Sequence, residues 1–255
     1  AAAAAARGAA PPGGQPTSKL VLRGWHLYGQ NCLACHGMDA RGNTHGPPDR
    51  IGAGPRRAQI QQQGLAPSLW GVGAAAADFY LRTGYMPLPR NGIQPRRARV
   101  TFSEPQLRGL IAFVASLGHG PAVPTPHPES GSISQGMKLF TDNCAGCHQI
   151  AAQGGYVTGA TPPALEDDTS TQIAEAVRIG PYVMPSFSKK KISDHQLDSL
   201  ITYVNYTKHA DNRGGWSLGT IGPVPEGLVT WFIAIAFIVA VCMAVGRRLK
   251  HGAAE

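Results

Sequence analysis

Aromatic residues are scarce: four Trp, seven Tyr and seven Phe among 255 positions, which leaves either small cores or a core completed by something other than side chains. Charged residues are few as well, 15%, whereas Gly (32) and Pro (21) abound, so extended connections should be plentiful and long regular elements rare. The net charge of +8 is unevenly spread, with thirteen Lys/Arg against four Asp/Glu in residues 1–120 and seven against nine in residues 121–225. Arg50, Arg56, Arg57, Arg96, Arg97 and Arg99 lie in Gly/Pro-rich stretches without interleaved aromatics. That pattern sets nucleic-acid binding aside and leaves docking to an acidic protein or plain solvated loop charge. Residues 1–18 are low in complexity and hold no apolar core; either a secretory signal was removed upstream or the N-terminus is incompletely represented.

Membrane-length apolar runs are limited to one. Leu228–Val245 is 18 residues without a charge, which as a helix covers ~27 Å, close to the ~30 Å of a bilayer core. A buried core helix is the alternative. Trp231 sits near one end, and Arg247, Arg248 and Lys250 follow the other. The positive-inside rule then expects a span at 227–246, a cytoplasmic tail at 247–255 and everything earlier on the extracytoplasmic side of the cell membrane.

The chain repeats itself. Gly24, Tyr28, Asn31, Cys32, Cys35 and His36 match Gly136, Phe140, Asn143, Cys144, Cys147 and His148 at a constant offset of 112. Pro67-Ser68-Leu69 matches Pro163-Ala164-Leu165, Arg82-Thr83-Gly84 matches Arg178-Ile179-Gly180, and Met86-Pro87 matches Met184-Pro185. "SEPQLRGLIAFV" (103–114) matches "SDHQLDSLITYV" (193–204), with the offset down to 90. The same order with different loop lengths indicates a duplicated domain. Each copy reads as mainly helical: Leu107, Leu110, Ile111, Val114 and Leu117 form one apolar stripe behind an N-cap at Ser103, repeated by Leu197, Leu200, Ile201 and Val204 behind Ser193. The expected organisation is a low-complexity segment 1–18, domains at 19–118 and 133–210, linkers at 119–132 and 211–226, the span and the tail.

Cys32-x-x-Cys35-His36 and Cys144-x-x-Cys147-His148 admit three readings. A redox dithiol does not need the following His and belongs beside a βαβ pattern. Structural zinc needs four ligands, which the two units together could in principle supply. Covalent haem attachment explains the whole motif, with two thiols for the two vinyl groups and the adjacent imidazole for the iron. It alone also explains why a Met-Pro recurs, at Met86 and Met184, to provide a sixth ligand from the opposite side. The expected cofactors are thus two covalently bound haems c, with Cys32, Cys35, Cys144 and Cys147 as attachment points and His36, Met86, His148 and Met184 on the irons. His45, on a Gly-rich loop, is the rival sixth ligand in the first copy; Met38 and Met137 lie too close to their motifs to reach the far face. His26, His119, His127, His195, His209 and His251 read as surface or helix-cap residues, and Cys242 as a small packing residue within the span. Lys189-Lys190-Lys191 either steers an acidic partner or is solvated.

Two such domains in tandem, then "IGPVPEG" leading into one membrane helix with a basic tail, resemble the di-haem cytochrome cc subunit of actinobacterial-type quinol:cytochrome c reductase (cytochrome bcc) complexes. The resemblance covers about residues 18–250 and implies two tandem cytochrome c domains with one C-terminal transmembrane helix. It implies a cytochrome b subunit and a Rieske iron–sulfur protein as partners, and electron delivery to the copper centre of a terminal haem–copper oxidase in a respiratory-chain supercomplex, within a dimeric translocase. No bond chemistry of its own is implied. Some members carry an additional N-terminal membrane helix, for which no run is visible here. An independent membrane-anchored electron shuttle is the alternative reading, and a di-haem oxidoreductase such as a peroxidase a further one.

Overall fold

The structure is a computed structural model and describes residues 18–42, 66–89, 93–208 and 223–252, the last with side chains over 227–248. The low-complexity segment up to residue 17, His45 with the arginines of its loop, His209 and the connection 209–222 lie outside the described residues. The chain divides into two compact units, 1–209 and 210–255.

Regular structure among the described residues is helical, with one isolated bridge between Val157 and Ala160. The helices are α1 (Lys19–Asn31), α2 (Leu33–His36), α3 (Gly73–Arg82), α4 (Glu104–Ala115), α5 (Ile133–Asn143), α6 (Ala145–His148), α7 (Ser170–Ile179), α8 (Asp194–Lys208) and α9 (Pro223–Gly252), with a 3-10 turn at Pro128–Ser130. The duplication is real in three dimensions: α1 packs on α4 as α5 packs on α8. Glycine makes both crossings possible. A Cβ at Gly24 would overlap the Gly109 carbonyl and stand 2.7 Å from Phe113 Cβ; one at Gly136 would overlap the Ser199 carbonyl and stand 2.8 Å from Tyr203 Cβ.

Both last helices start as expected, with the Ser103 and Ser193 amides each donating to a glutamine Oε1 three residues on, at 2.8 Å. The expected stripe is buried at Leu107, Leu110, Val114 and Leu117 and half-buried at Ile111, but Phe113, 0% exposed, is as central as any of them. It joins Trp25 and Tyr28 in a ring cluster with centroids 5.0–5.6 Å apart. The second core holds the pair Phe140–Tyr203 at 5.4 Å.

The segment expected as a linker at 119–132 is fixed against both domains. Pro121 O accepts from the Ala75 amide at 3.0 Å, and the His127 amide donates to Asp198 Oδ1 at 2.7 Å. The domains meet through equivalent helices, α3 against α7. A reciprocal amide pair reinforces the contact, Gln94 Nε2 to Thr161 O and Thr161 N to Gln94 Oε1, both 2.8 Å. Arg97, expected to be docking or solvated charge, instead ion-pairs with Asp168 across the boundary and donates to Gln172 Oε1. His26, mid-α1 beside buried Trp25, is half-buried, and its Nδ1 has no partner among the described residues.

In the second unit, Gly227–Arg248 of α9 has a mean hydropathy of 2.8 and is long and apolar enough to cross a membrane. Its large apolar side chains, from Leu228 (54%) and Trp231 (69%) to Val245 (51%), stand exposed, which disposes of the buried-core-helix alternative within the unit.

Candidate functional site: two motif histidines and their surroundings

Each Cys-x-x-Cys-His motif forms a single helical turn directly after a longer helix, α2 after α1 and α6 after α5. The chain bends at Cys32 (φ −122°) and Cys144 (φ −124°), whose amides still cap the preceding helix through Tyr28 O and Phe140 O. Beyond the motifs the repeat continues more closely than the motif residues alone suggest. Ala40 and Ala152 both adopt φ 58°, and the Gly42 and Gly154 amides return to His36 O and His148 O at 2.8 and 3.0 Å. The Leu69 and Leu165 amides donate to Ala40 O and Ala152 O, each at 2.9 Å. These bonds bring the Pro-x-Leu segments to the motifs.

The consequence is at the imidazoles. His36 Nδ1 lies 2.9 Å from Pro67 O, and His148 Nδ1 lies 3.0 Å from Pro163 O. A carbonyl can only accept, so Nδ1 carries the proton and Nε2 keeps its lone pair for a metal. Burial lowers both histidines from their ordinary value, against the opposing pull of the proline carbonyls, and favours the neutral ligand form.

The methionines of the two Met-Pro pairs lie on the same apolar clusters as the motif cysteines. Met86, placed by its amide bond to Tyr80 O at 2.9 Å, packs on the same apolar cluster as Cys32, Leu33 and Leu69. Met184, placed by its amide bond to Pro181 O at 3.0 Å, packs on the cluster that contains Cys144 and touches Leu165. The arginine of each Arg-x-Gly holds this segment to the last helix: Arg82 binds both oxygens of Glu104 at 2.7 and 2.8 Å, and Arg178 binds Asp194 at 2.8 Å. Arg178 also donates to Phe187 O and Ile192 O, just past Met184.

A tyrosine hydroxyl pins the chain after each motif, from opposite helices. Tyr28 of α1 donates to Gly37 O at 2.6 Å, whereas in the second copy its counterpart is Phe140 and the donor is Tyr203 of α8, to Ile150 O at 2.7 Å. Phe113 stands where Tyr203 does in the other copy, so one tyrosine–phenylalanine pair is inverted and the function of the hydroxyl kept.

A cleft beside the first motif has a volume of about 700 Å³, and its lining includes Cys32, Cys35, His36 and Met86 together with Leu81, Leu110 and Val114. Such a volume takes a large planar ligand. Among the described residues no three His, Cys, Asp or Glu side chains gather as a metal cluster. Burial, and then the neighbouring cysteine, pushes Cys32 and Cys144 up to about 12, the reverse of an active dithiol. The residues present fit a haem.

A cytochrome c family model matches residues 21–118, and the model for subunit III of cbb3-type cytochrome c oxidase matches 131–204. The cytochrome bc1 complex cytochrome c subunit of Corynebacterium diphtheriae is 32% identical over 254 residues, 92% of this chain and 83% of that protein. Its counterpart in Mycobacterium tuberculosis is 32% identical over 243 residues, 92% and 80% of the two chains. This chain belongs to the family of cytochrome bc1 complex cytochrome c subunits. More distantly it is similar to the cbb3-type cytochrome c oxidase subunit CcoP of Azospirillum sp., 25% identical over 209 residues, 71% of this chain and 60% of that one. A chain of a reducing HAO-like protein complex from Kuenenia stuttgartiensis overlaps 72% of this chain and 95% of its own length at 16% identity and a TM-score of 0.35, too remote to inform the fold.

As a member of that family, this cytochrome c subunit carries covalently bound haem c. Met38 and Met137 are exposed. Of the lysine run, Lys189 pairs with Asp194 and Lys191 stacks over the Phe187 ring, 4.7 Å from its centroid, which ties part of it to the Met184 segment. The tyrosine–phenylalanine inversion and the left-handed alanines were the site residues not anticipated from the sequence. The offset of 112 that aligns Ala40 with Ala152 and Gly42 with Gly154 was the available signal.

Proposed function

We propose that this chain is the membrane-anchored electron-transfer subunit of a quinol:cytochrome c reductase, taking electrons from a Rieske iron–sulfur protein beside a cytochrome b subunit and delivering them to the copper centre of a terminal haem–copper oxidase. Cys32 and Cys35 would attach one haem and Cys144 and Cys147 the other, and His36 with Met86 in the first domain and His148 with Met184 in the second are the residues that would hold the irons. When bound, each haem supplies a one-electron iron couple. The protein's own work is to hold: Pro67 O and Pro163 O keep the Nδ1 protons in place, the Met-Pro segments present a thioether, and the apolar walls keep water from the clefts. Helix α9 anchors the domains on the extracytoplasmic side, with the basic tail in the cytoplasm.

The observation that carries this reading is that both copies have the same equipment, an imidazole with Nε2 free and a methionine on the same core as the motif cysteine. A peroxidase would need one iron without a sixth ligand, and neither copy lacks its Met. The independent shuttle is the reading to separate by experiment. Purified in mild detergent, the chain should bring cytochrome b and Rieske subunits with it in fixed stoichiometry; a chain that elutes alone, fully loaded with haem, contradicts membership of a reductase.

A further inference from the structure

The contact between α3 and α7 is a small apolar patch of Ala75, Ala76, Phe79 and Ile179, edged by Tyr80, Tyr85 and Ala176. Into it α7 places a carboxylic acid. Glu175 is 0% exposed, no donor group among the described residues reaches either of its oxygens, and the Asp78 carboxyl is its side-chain hydrogen-bond partner once a proton lies between them. At the offset of 96 that aligns Arg82 with Arg178, the counterpart of Glu175 is Phe79 and that of Asp78 is Ala174. These two acids are therefore no part of the repeat; they belong to the contact between its copies.

The charged groups around Glu175 are already committed. Asp78, itself buried, accepts from Arg82 Nε at 2.8 Å, and the rest of that guanidinium is on Glu104. One cation thus balances two carboxylates, and an ionised Glu175 would add a third in an apolar contact. On α7, Arg178 is taken by Phe187 O, Ile192 O and Asp194. On α8, Lys208 lies on Asp168 O, Asp198 accepts from the His127 amide, Asp194 is paired, and His195 is exposed. Arg97 is on Asp168 and Gln172. The Tyr80 hydroxyl accepts from the Tyr182 amide, and burial pushes Tyr85 up to about 12, so it stays neutral.

We infer that Glu175 and Asp78 form a proton-binding site between the two haem domains, one that holds a single proton at neutral pH and whose loss of that proton loosens α3 from α7. The inference makes no use of the haems or of the partner subunits, so it stands or falls apart from the proposed function. Burial, reinforced by Asp78, pushes the Glu175 carboxyl up to about 9 from an ordinary 4.5. Between those values the joined domains bind a proton that separated ones would release. The contact is therefore strongest below the ordinary value, weakens as pH rises through the interval, and is weakest above about 9.

Infrared spectroscopy of the haem-loaded full chain at neutral pH tests this. A protonated-carboxyl carbonyl band should be present, disappear in Glu175→Gln, and titrate away in the wild type as amide-exchange protection of α3 and α7 falls. Asp78→Asn leaves Glu175 in place and should move the loss of the band to lower pH by roughly one unit or more. Glu175→Gln should make the protection of α3 and α7 independent of pH once intrinsic exchange is allowed for. Absence of the band, a band indifferent to both substitutions, or unchanged pH dependence in Glu175→Gln would each overturn the site.

Discussion

An imidazole serves iron best when its second nitrogen donates to a fixed acceptor, and a thioether when the chain behind it is held. His36 and His148 meet the first condition through proline carbonyls at 2.9 and 3.0 Å, and the two methionines meet the second through amide bonds to Tyr80 O and Pro181 O. Because axial ligation moves haem potentials across about 0.8 V overall, Met86→His should lower the first haem by something on the order of 0.2 V and leave the second nearly unchanged in a spectroelectrochemical titration. Equal shifts in both would contradict the ligand assignment. Tyr28→Phe removes the hydroxyl from Gly37 O and should cost about 1 kcal/mol in thermal unfolding, as should Tyr203→Phe through Ile150 O. A cost confined to one copy would contradict their equivalence. At this scale the motif residues were legible because attachment chemistry constrains their identity and spacing. The inverted tyrosine–phenylalanine pair was not, because a hydroxyl can be supplied from either of two crossing helices without changing the apolar pattern of either.

Helices α1 and α4, and α5 and α8, approach so closely that a methyl group has no room at Gly24 or Gly136. Overpacking of a core side chain costs about 1–3 kcal/mol, and here the obstacle is backbone, so Gly24→Ala and Gly136→Ala should each reach at least the upper figure in thermal melts. Wild-type melting temperatures would show that the crossings are looser than drawn. Arg178→Ala removes a side chain only 10% exposed, strips two carbonyls of their donor and leaves Asp194 with Lys189 alone. It should destabilise the second domain by about 3 kcal/mol and weaken its methionine-to-iron band selectively. The apolar stripe of the last helices could be read from its helical spacing, whereas Phe113 and the Gly109 contact could not. They lie on the adjoining strip of α4, and only the partner helix reveals that this strip is covered too.

At the scale of the molecule, duplication with different loop lengths was visible in one sequence because the motifs keep their order. The apposition of the copies was not visible. Gln94 with Thr161 and Arg97 with Asp168 are pairs between residues 67 and 71 positions apart, and no local pattern encodes them. Composition alone also made 119–132 look like a spacer, although its backbone is hydrogen-bonded to both domains. Helix α9 forms a separate unit with its apolar surface uncovered, so a chain ending at Lys208 should fractionate as a soluble protein with both haem potentials unchanged. Retention in the membrane fraction would contradict its role as the anchor. The central claim, two irons each held between a motif histidine and a Met-Pro methionine, is tested most directly by a redox titration of the intact chain, followed in the visible haem bands and the near-infrared methionine-to-iron band. Two low-spin transitions, each with the methionine band in the oxidised state, are predicted; a high-spin component, or one haem without that band, would contradict it.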